Sequence, residues 1–175
     1  MTPEQLASAT GATLERATAF QPIIDMAAGD FEINTPQRLA AFLAQVGHES
    51  GGLHWLTELW GPTAQQARYE GRADLGNTEL GDGFAYRGRG LIQITGRENY
   101  AQVGQALATD FIGSPDLLAE PDYAVRSAMW FWESHGLNQL ADTGQFERIT
   151  RIINGGLTGE EDRLALWDNA REALA

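Results

Sequence analysis

Thr35-Pro36-Gln37-Arg38-Leu39-Ala40-Ala41-Phe42-Leu43-Ala44-Gln45-Val46-Gly47-His48-Glu49-Ser50-Gly51-Gly52 is the stretch on which the reading of this chain turns. Thr35 followed by Pro36 is a helix start. The threonine caps the first turn, and proline supplies a helical φ where its missing N–H costs nothing. Leu39, Phe42, Leu43 and Val46 then recur at i, i+3, i+4 and i+7, so the helix turns one face to a core. Glu49 falls three residues beyond Val46 and seven beyond Phe42. It continues the buried stripe, where an ordinary carboxylate is costly. Gly51-Gly52 ends the helix. Partial desolvation there favours the protonated carboxyl. Glu58 follows nine residues later on a less apolar segment. Two carboxyls in unlike environments are the minimum equipment for acid/base cleavage of a glycosidic bond.

Outward from this helix the signals repeat. Thr2-Pro3 predicts a first helix that ends at Gly11. A second is expected from about Thr13 to Ala28, with Leu14, Ala17, Phe20 and Ile24 on one face and Gly29-Asp30 as its stop. Residues 59–85 are rich in Gly, Asp, Asn and Pro and read mostly as loop. Tyr86 to Thr95 brings alternation and the β-formers Leu91, Ile92 and Ile94, which predicts a short strand or hairpin closed by Gly96. Further helices are expected over Arg97–Ala108, Pro121–Ser134, Phe146–Ile153 and Gly159–Ala175. The outline is a single, mainly helical domain over residues 1–175, with a small β element between its halves. No internal repeat and no appended wall-binding module is read from the pattern.

Composition narrows the function. A formal net charge of −12 makes binding to nucleic-acid phosphates a poor prospect. It also disfavours strong adhesion to an anionic cell surface. A neutral polymer, or a locally basic cleft around Arg87 and Arg89, suits it better. With no cysteine, disulfides, thiolate metal sites and a cysteine nucleophile are excluded. No apolar run approaches the roughly eighteen residues of a membrane span. The N-terminus lacks a basic region followed by an apolar core, so no signal peptide is read. The expected location is the cytoplasm in which the chain is made.

Three segments carry the candidate chemistry. In a one-step inverting hydrolysis the two carboxyls stand roughly 6.5–9.5 Å apart, leaving room for a water. Glu49 and Glu58 are the pair considered, against the plain alternative of a Glu49–arginine pair and a surface Glu58. Tyr86-Arg87-Gly88-Arg89-Gly90-Leu91-Ile92-Gln93-Ile94-Thr95 has no G-x-x-x-x-G-K-[ST] and no third glycine of G-x-G-x-x-G. Period-two alternation would set Gln93 and Thr95 on one strand face, with Thr95 able to bond a water. Ile152-Ile153-Asn154-Gly155-Gly156 is a helix end with an amide suited to a sugar acetamido group, or simply a C-cap. His48 and His54 stand six apart, which breaks the zinc-protease spacing, so neither metal nor cofactor is expected.

Taken together, the ordered motifs resemble glycoside hydrolase family 19, its chitinases and more closely its phage endolysin branch. They are Phe42-Leu43-Ala44-Gln45 leading into His48-Glu49-Ser50-Gly51-Gly52, then Tyr86 to Thr95 with Asn99-Tyr100, then Trp130-Phe131-Trp132, then Ile153-Asn154-Gly155-Gly156. The resemblance covers roughly Thr35 to Arg163. It implies a mainly α, lysozyme-like α+β fold: two helical lobes, a small β-hairpin and a central substrate cleft. It implies an enzyme acting as a monomer on the β-1,4 bonds of the peptidoglycan glycan strand, with inversion, for host cell lysis. Chitin, a polymer of N-acetylglucosamine, is the alternative substrate. The resemblance makes Glu49 the general acid, Glu58 the base and Thr95 the residue that positions the water. It puts Gln93, Asn99 and Asn154 at substrate-binding positions, joined by His48 and Tyr86 from the same motifs. Arg163 is the expected partner of the acidic cluster. Plant-type members carry the base in a longer loop, which makes Glu70 the rival base.

Overall fold

The computed structural model describes all 175 residues, Met1–Ala175. It is built from ten α-helices: α1 Pro3–Thr10, α2 Leu14–Ala28, α3 Pro36–Glu49, α4 Ala64–Ala67, α5 Asp82–Ala85, α6 Arg97–Ala106, α7 Pro121–Ser134, α8 Leu137–Asp142, α9 Phe146–Asn154 and α10 Glu160–Ala173. Single 3₁₀ turns lie at Ala73–Leu75 and Pro115–Ala119. The chain forms two compact units, Met1–Trp55 with Ala128–Ala175, and Leu56–Ser127.

The helix starts read from threonine are real caps. Thr2, Thr13 and Thr35 each accept a hydrogen bond from the backbone N–H three residues on, at Gln5, Arg16 and Arg38. In the first unit α3 is the central helix and packs against α1, α8 and α10. Every residue from Ala40 to Gly47 on it is buried. Gly47 brings α3 and α1 together backbone to backbone: a Cβ there would stand 2.7 Å from the Thr10 carbonyl oxygen. Phe42 meets Trp132 edge-on, with ring centroids 5.5 Å apart. The buried Trp132 indole donates to Asn138 Oδ1 at 2.9 Å, and Asn138 in turn donates to the Phe31 carbonyl at 3.1 Å. Leu14 departs from expectation. It is about half exposed, because the first turn of α2 lies beyond the strip of core that Ala17, Phe20 and Ile24 reach.

The second unit holds its loop with short elements. Residues 59–85 contain α4, one 3₁₀ turn and α5. The β element is one bridge wide. Arg89 pairs antiparallel with Ile94, with N–H to carbonyl distances of 3.1 and 2.8 Å, and also with Thr57. The expected alternation along Tyr86–Thr95 fails because Gln93 sits at φ 56°, in the tight turn that returns the chain to Arg89. Leu91, Ile94, Tyr100, Val103, Phe111 and Leu118 form the core of this unit. Arg89 belongs to that core rather than to a basic surface. It is 1% exposed, and donates to the Ala85 carbonyl, the Tyr100 hydroxyl and Asp116.

Phe42 fills the contact of α3 with Trp132, so Phe42→Ala leaves a cavity there. Urea or guanidinium unfolding is expected to show a loss of about 3–5 kcal/mol, with little change in the denaturant slope.

Candidate active site

Glu49 is the last residue of α3, and its position follows from how that helix stops. The buried Ser50 hydroxyl returns to the Val46 carbonyl at 2.5 Å and accepts the Leu53 N–H at 2.8 Å. The chain then turns through Gly51 and Gly52 at φ 59° and 68°. A Cβ on Gly52 would meet the Gly11 carbonyl oxygen at 2.7 Å, so the glycine is needed for both its conformation and its close approach.

The Glu49 side chain is about 20% exposed and ion-paired through Oε1 to the Arg163 guanidinium. Arg163 is itself buried, at 1% exposure. Its Nη1 donates to Gln45 Oε1 at 2.5 Å and its Nε to the Thr158 carbonyl at 3.3 Å. Gln45 is wholly buried and donates to the Thr150 hydroxyl at 2.8 Å. The isolated, desolvated carboxyl expected from the apolar stripe is therefore an arginine-paired one, because α10 brings Arg163 against the end of α3. Glu49 Oε2 makes no bond within the protein. Beside it, His48 Nδ1 contacts Asp162 Oδ2 at 2.6 Å. Asn154 ends α9 with an exposed amide that has no partner in the protein, ahead of a left-handed Gly155 at φ 74°.

Glu58 lies in the second unit, half-buried and held by neutral donors. Oε1 accepts from Gln66 Nε2 at 3.0 Å and from the Tyr69 hydroxyl at 3.5 Å; Oε2 accepts from the Gly88 N–H at 3.0 Å. The Glu58 N–H answers the Gly88 carbonyl at 2.8 Å, which ties this residue to the Tyr86–Thr95 motif. Burial, then the Glu58 charge, pushes the Tyr69 hydroxyl above the usual phenol value, so it stays a donor. Thr95 donates to the Gln93 carbonyl at 2.9 Å, Gln93 Nε2 to the Gly90 carbonyl at 2.9 Å, and Asn99 to the Thr95 carbonyl at 2.7 Å. All three are half-buried, Gln93 and Thr95 in the tight turn and Asn99 in the first turn of α6. Tyr86 is different. It is 5% exposed, its hydroxyl reaches the Ile112 carbonyl, and its ring packs on Tyr100 and under Arg97. Its place is in the core of the unit rather than at a sugar.

Glu70 has another occupation. Its two oxygens accept the N–H groups of Gly81 and Gly83, at 2.6 and 2.9 Å, at the start of α5. No arginine pairs with it. Sequence reasoning missed Gln45, Gln66 and Tyr69. Only Gln66 left a signal, the Thr63-x-x-Gln66 pattern of a capping box, which the structure contains.

A model of the family 19 domain, described as chitinase class I, matches residues 9–141, three-quarters of the chain. The chain belongs to glycoside hydrolase family 19. A family 19 domain-containing protein of Haemophilus influenzae is 37% identical over 73% of this chain and 76% of its own length. An endochitinase of Pisum sativum is 34% identical over 75% of this chain and 50% of its own. This family 19 chain spans about half the length of the plant chitinases it matches. Among solved structures, a bacterial family 19 chitinase superposes with a TM-score of 0.78 at 24% identity, over 99% of this chain and 94% of that one. Chitinase C of Streptomyces griseus gives 0.75 at 23%, over 99% and 76%. These two show the shared, mainly helical fold.

The unit that holds Glu58 is anchored by Asp82, 2% exposed, which receives Arg97 through both oxygens at 2.8 and 2.5 Å. Arg97 holds the Asp82 carboxyl below its ordinary value of 3.8. A lowered folded-state pKa gives stability that is full above that ordinary value and is lost as pH falls through the lowered one. Thermal unfolding is expected to show this loss below about pH 4, and Asp82→Asn is expected to flatten that part of the profile while lowering stability at neutral pH.

Proposed function

We propose that this chain is a lysozyme-type glycoside hydrolase that cuts the β-1,4 bonds of the peptidoglycan glycan strand, on the muramic acid side, by single displacement with inversion. It acts as a monomer, in the manner of an endolysin that waits in the host cytoplasm and lyses the cell once it reaches the wall. Glu49 is the general acid that protonates the leaving oxygen. Glu58 is the base that takes a proton from the attacking water, and Thr95 helps to hold that water. Gln93, Asn99, Asn154 and His48 contact the sugars, and Arg163 orients Glu49.

One observation carries the reading. In a family 19 chain, two glutamates are each held by the protein's own donors and each keeps acceptor capacity to spare. Glu49 has a free Oε2, and Glu58 uses three of about four lone-pair positions. Glu70 is the rival base; it differs in being exposed and in serving, through its two oxygens, the backbone amides that open α5. Peptidoglycan carries a lactyl-peptide branch that chitin lacks, and the short 59–85 loop suits a branched strand. Chitin is the second reading. It is favoured by the chitinases among the relatives and by the net charge of −12, which suits a neutral polymer.

Lysis of outer-membrane-permeabilised Gram-negative cells is expected to exceed release from colloidal chitin; the reverse ranking would make the protein a chitinase. Proton NMR of fresh product is expected to show the α-anomer first, and an initial β-anomer overturns single displacement. Glu49→Gln and Glu58→Gln are each expected to cost about 10²-fold or more in kcat. Glu70→Gln is expected to keep near wild-type activity with a lower Tm, since it weakens the cap on α5. If Glu70→Gln abolishes lysis while Glu58→Gln spares it, the base is Glu70.

A further inference from the structure

We infer that Gln66 is the positioning residue of Glu58, setting both the direction of that carboxylate and the pH at which it works. The inference rests on the reading of Glu58 as the base. Gln66 is 6% exposed and all of its amide valences are filled. Its Oε1 accepts the N–H groups of Gly61 at 3.2 Å and Thr63 at 2.8 Å. Its Nε2 donates to the Leu59 carbonyl at 2.7 Å and to Glu58 Oε1 at 3.0 Å. The side chain thus spans the loop from Glu58 to Thr63 and closes it upon the carboxylate.

These partners also fix which end of the amide is which. Two backbone donors face one end and two oxygens face the other, so a flipped amide would oppose donor to donor and acceptor to acceptor. A plain structural role accounts for the three bonds to backbone groups but not for the fourth, to Glu58. Thr63 and Gln66 form a capping box on α4, which needs Gln66 Oε1 alone and is served equally by glutamate. The Nε2 group is surplus to that cap and is shared between the Leu59 carbonyl and Glu58. Donors to a carboxylate favour its charged form, the form a base requires. Gly88 N–H on Oε2 is the second arm, so rotation of the carboxylate is opposed at both oxygens.

Gln66→Glu keeps the cap and removes the donor to Glu58 together with the one to the Leu59 carbonyl, so the titration of Glu58 rather than the rate separates the two roles. An oxygen then faces Glu58 Oε1, so Glu58 deprotonates at higher pH. On purified Gram-negative peptidoglycan, the acidic limb of kcat/KM is expected to move up by about one pH unit or more, with kcat reduced and KM little changed. Colloidal chitin replaces peptidoglycan if the wild-type protein cleaves only that polymer. The ¹³C carboxyl resonance of Glu58, assigned by its loss in Glu58→Gln, is expected to titrate upward likewise, a readout independent of activity. The swapped pair, Glu58→Gln with Gln66→Glu, restores a donor–acceptor contact between the two positions and is expected to recover part of the Tm lost in Gln66→Glu while staying inactive, the Leu59 carbonyl remaining unpaired. An acidic limb and a carboxyl titration that overlay the wild type overturn the inference, whatever the loss of rate. If Glu58→Gln itself remains active, the assignment of the base fails instead. If Gln66→Glu does not fold, Tyr69→Phe and Gln66→Met are compared by the same titration; no upward movement with Gln66→Met overturns the inference.

Discussion

A buried guanidinium organises the first unit. Arg163 is 1% exposed, and a charge so far from water is tolerable only when its donors find acceptors. Gln45, Glu49 and the Thr158 carbonyl supply them. That requirement presses the start of α10 against the end of α3 and fixes the direction of Glu49. The neighbouring pair His48–Asp162 follows the same line of contact. So does Gly159, at φ 72°, where a Cβ would overlap the His48 ring. The apolar burial of Phe42, Leu43 and Val46 stabilises α3, but the arginine decides how its last turn presents the carboxylate.

The second unit meets a different demand with different means. Glu58 is held by an amide, a backbone N–H and a phenol, none of them charged. One carboxylate is therefore bonded directly to a cation; the other is bonded to neutral donors, with the Arg87 charge acting on it only at a distance. The two glutamates are held in unlike surroundings by unlike partners. The neutral cradle also needs more chain to build. Gln66, Tyr69 and Gly88 come from α4, the turn after it and the Tyr86–Thr95 motif, so a short loop is held firmly without a long strand.

Much of this was legible where local chemistry decides structure. The helix starts at Thr2, Thr13 and Thr35 are caps, as threonine ahead of a helical pattern implies. The stop at Gly51-Gly52 holds because no other residue fits a left-handed turn against the Gly11 carbonyl. Failures came where a partner distant in sequence intervened. Arg89 reads as a surface cation, yet Asp116 and Tyr100 draw it into the core. Tyr86 reads as a cleft residue, yet Tyr100 and Arg97 cover its ring. Gln93 reads as part of an alternating strand, yet the Arg89–Ile94 bridge needs a turn there. Helix α8 escaped notice because it begins after a left-handed Gly136 with no side-chain cap.

The sequence by itself determined the helical framework, the place of Glu49 at the end of a buried stripe, and membership in family 19, because caps, periodicity and ordered motifs are local properties of the chain. Resemblance pointed to Arg163 as a partner of the acidic cluster, but only the tertiary structure decided which atoms each carboxylate touches. Arg163 lies 114 residues from Glu49, and Gly88 lies 30 from Glu58. No spacing rule joins residues so far apart. It is packing that brings a guanidinium to one glutamate and a glutamine amide to the other, and that leaves Glu70 occupied with the start of a helix.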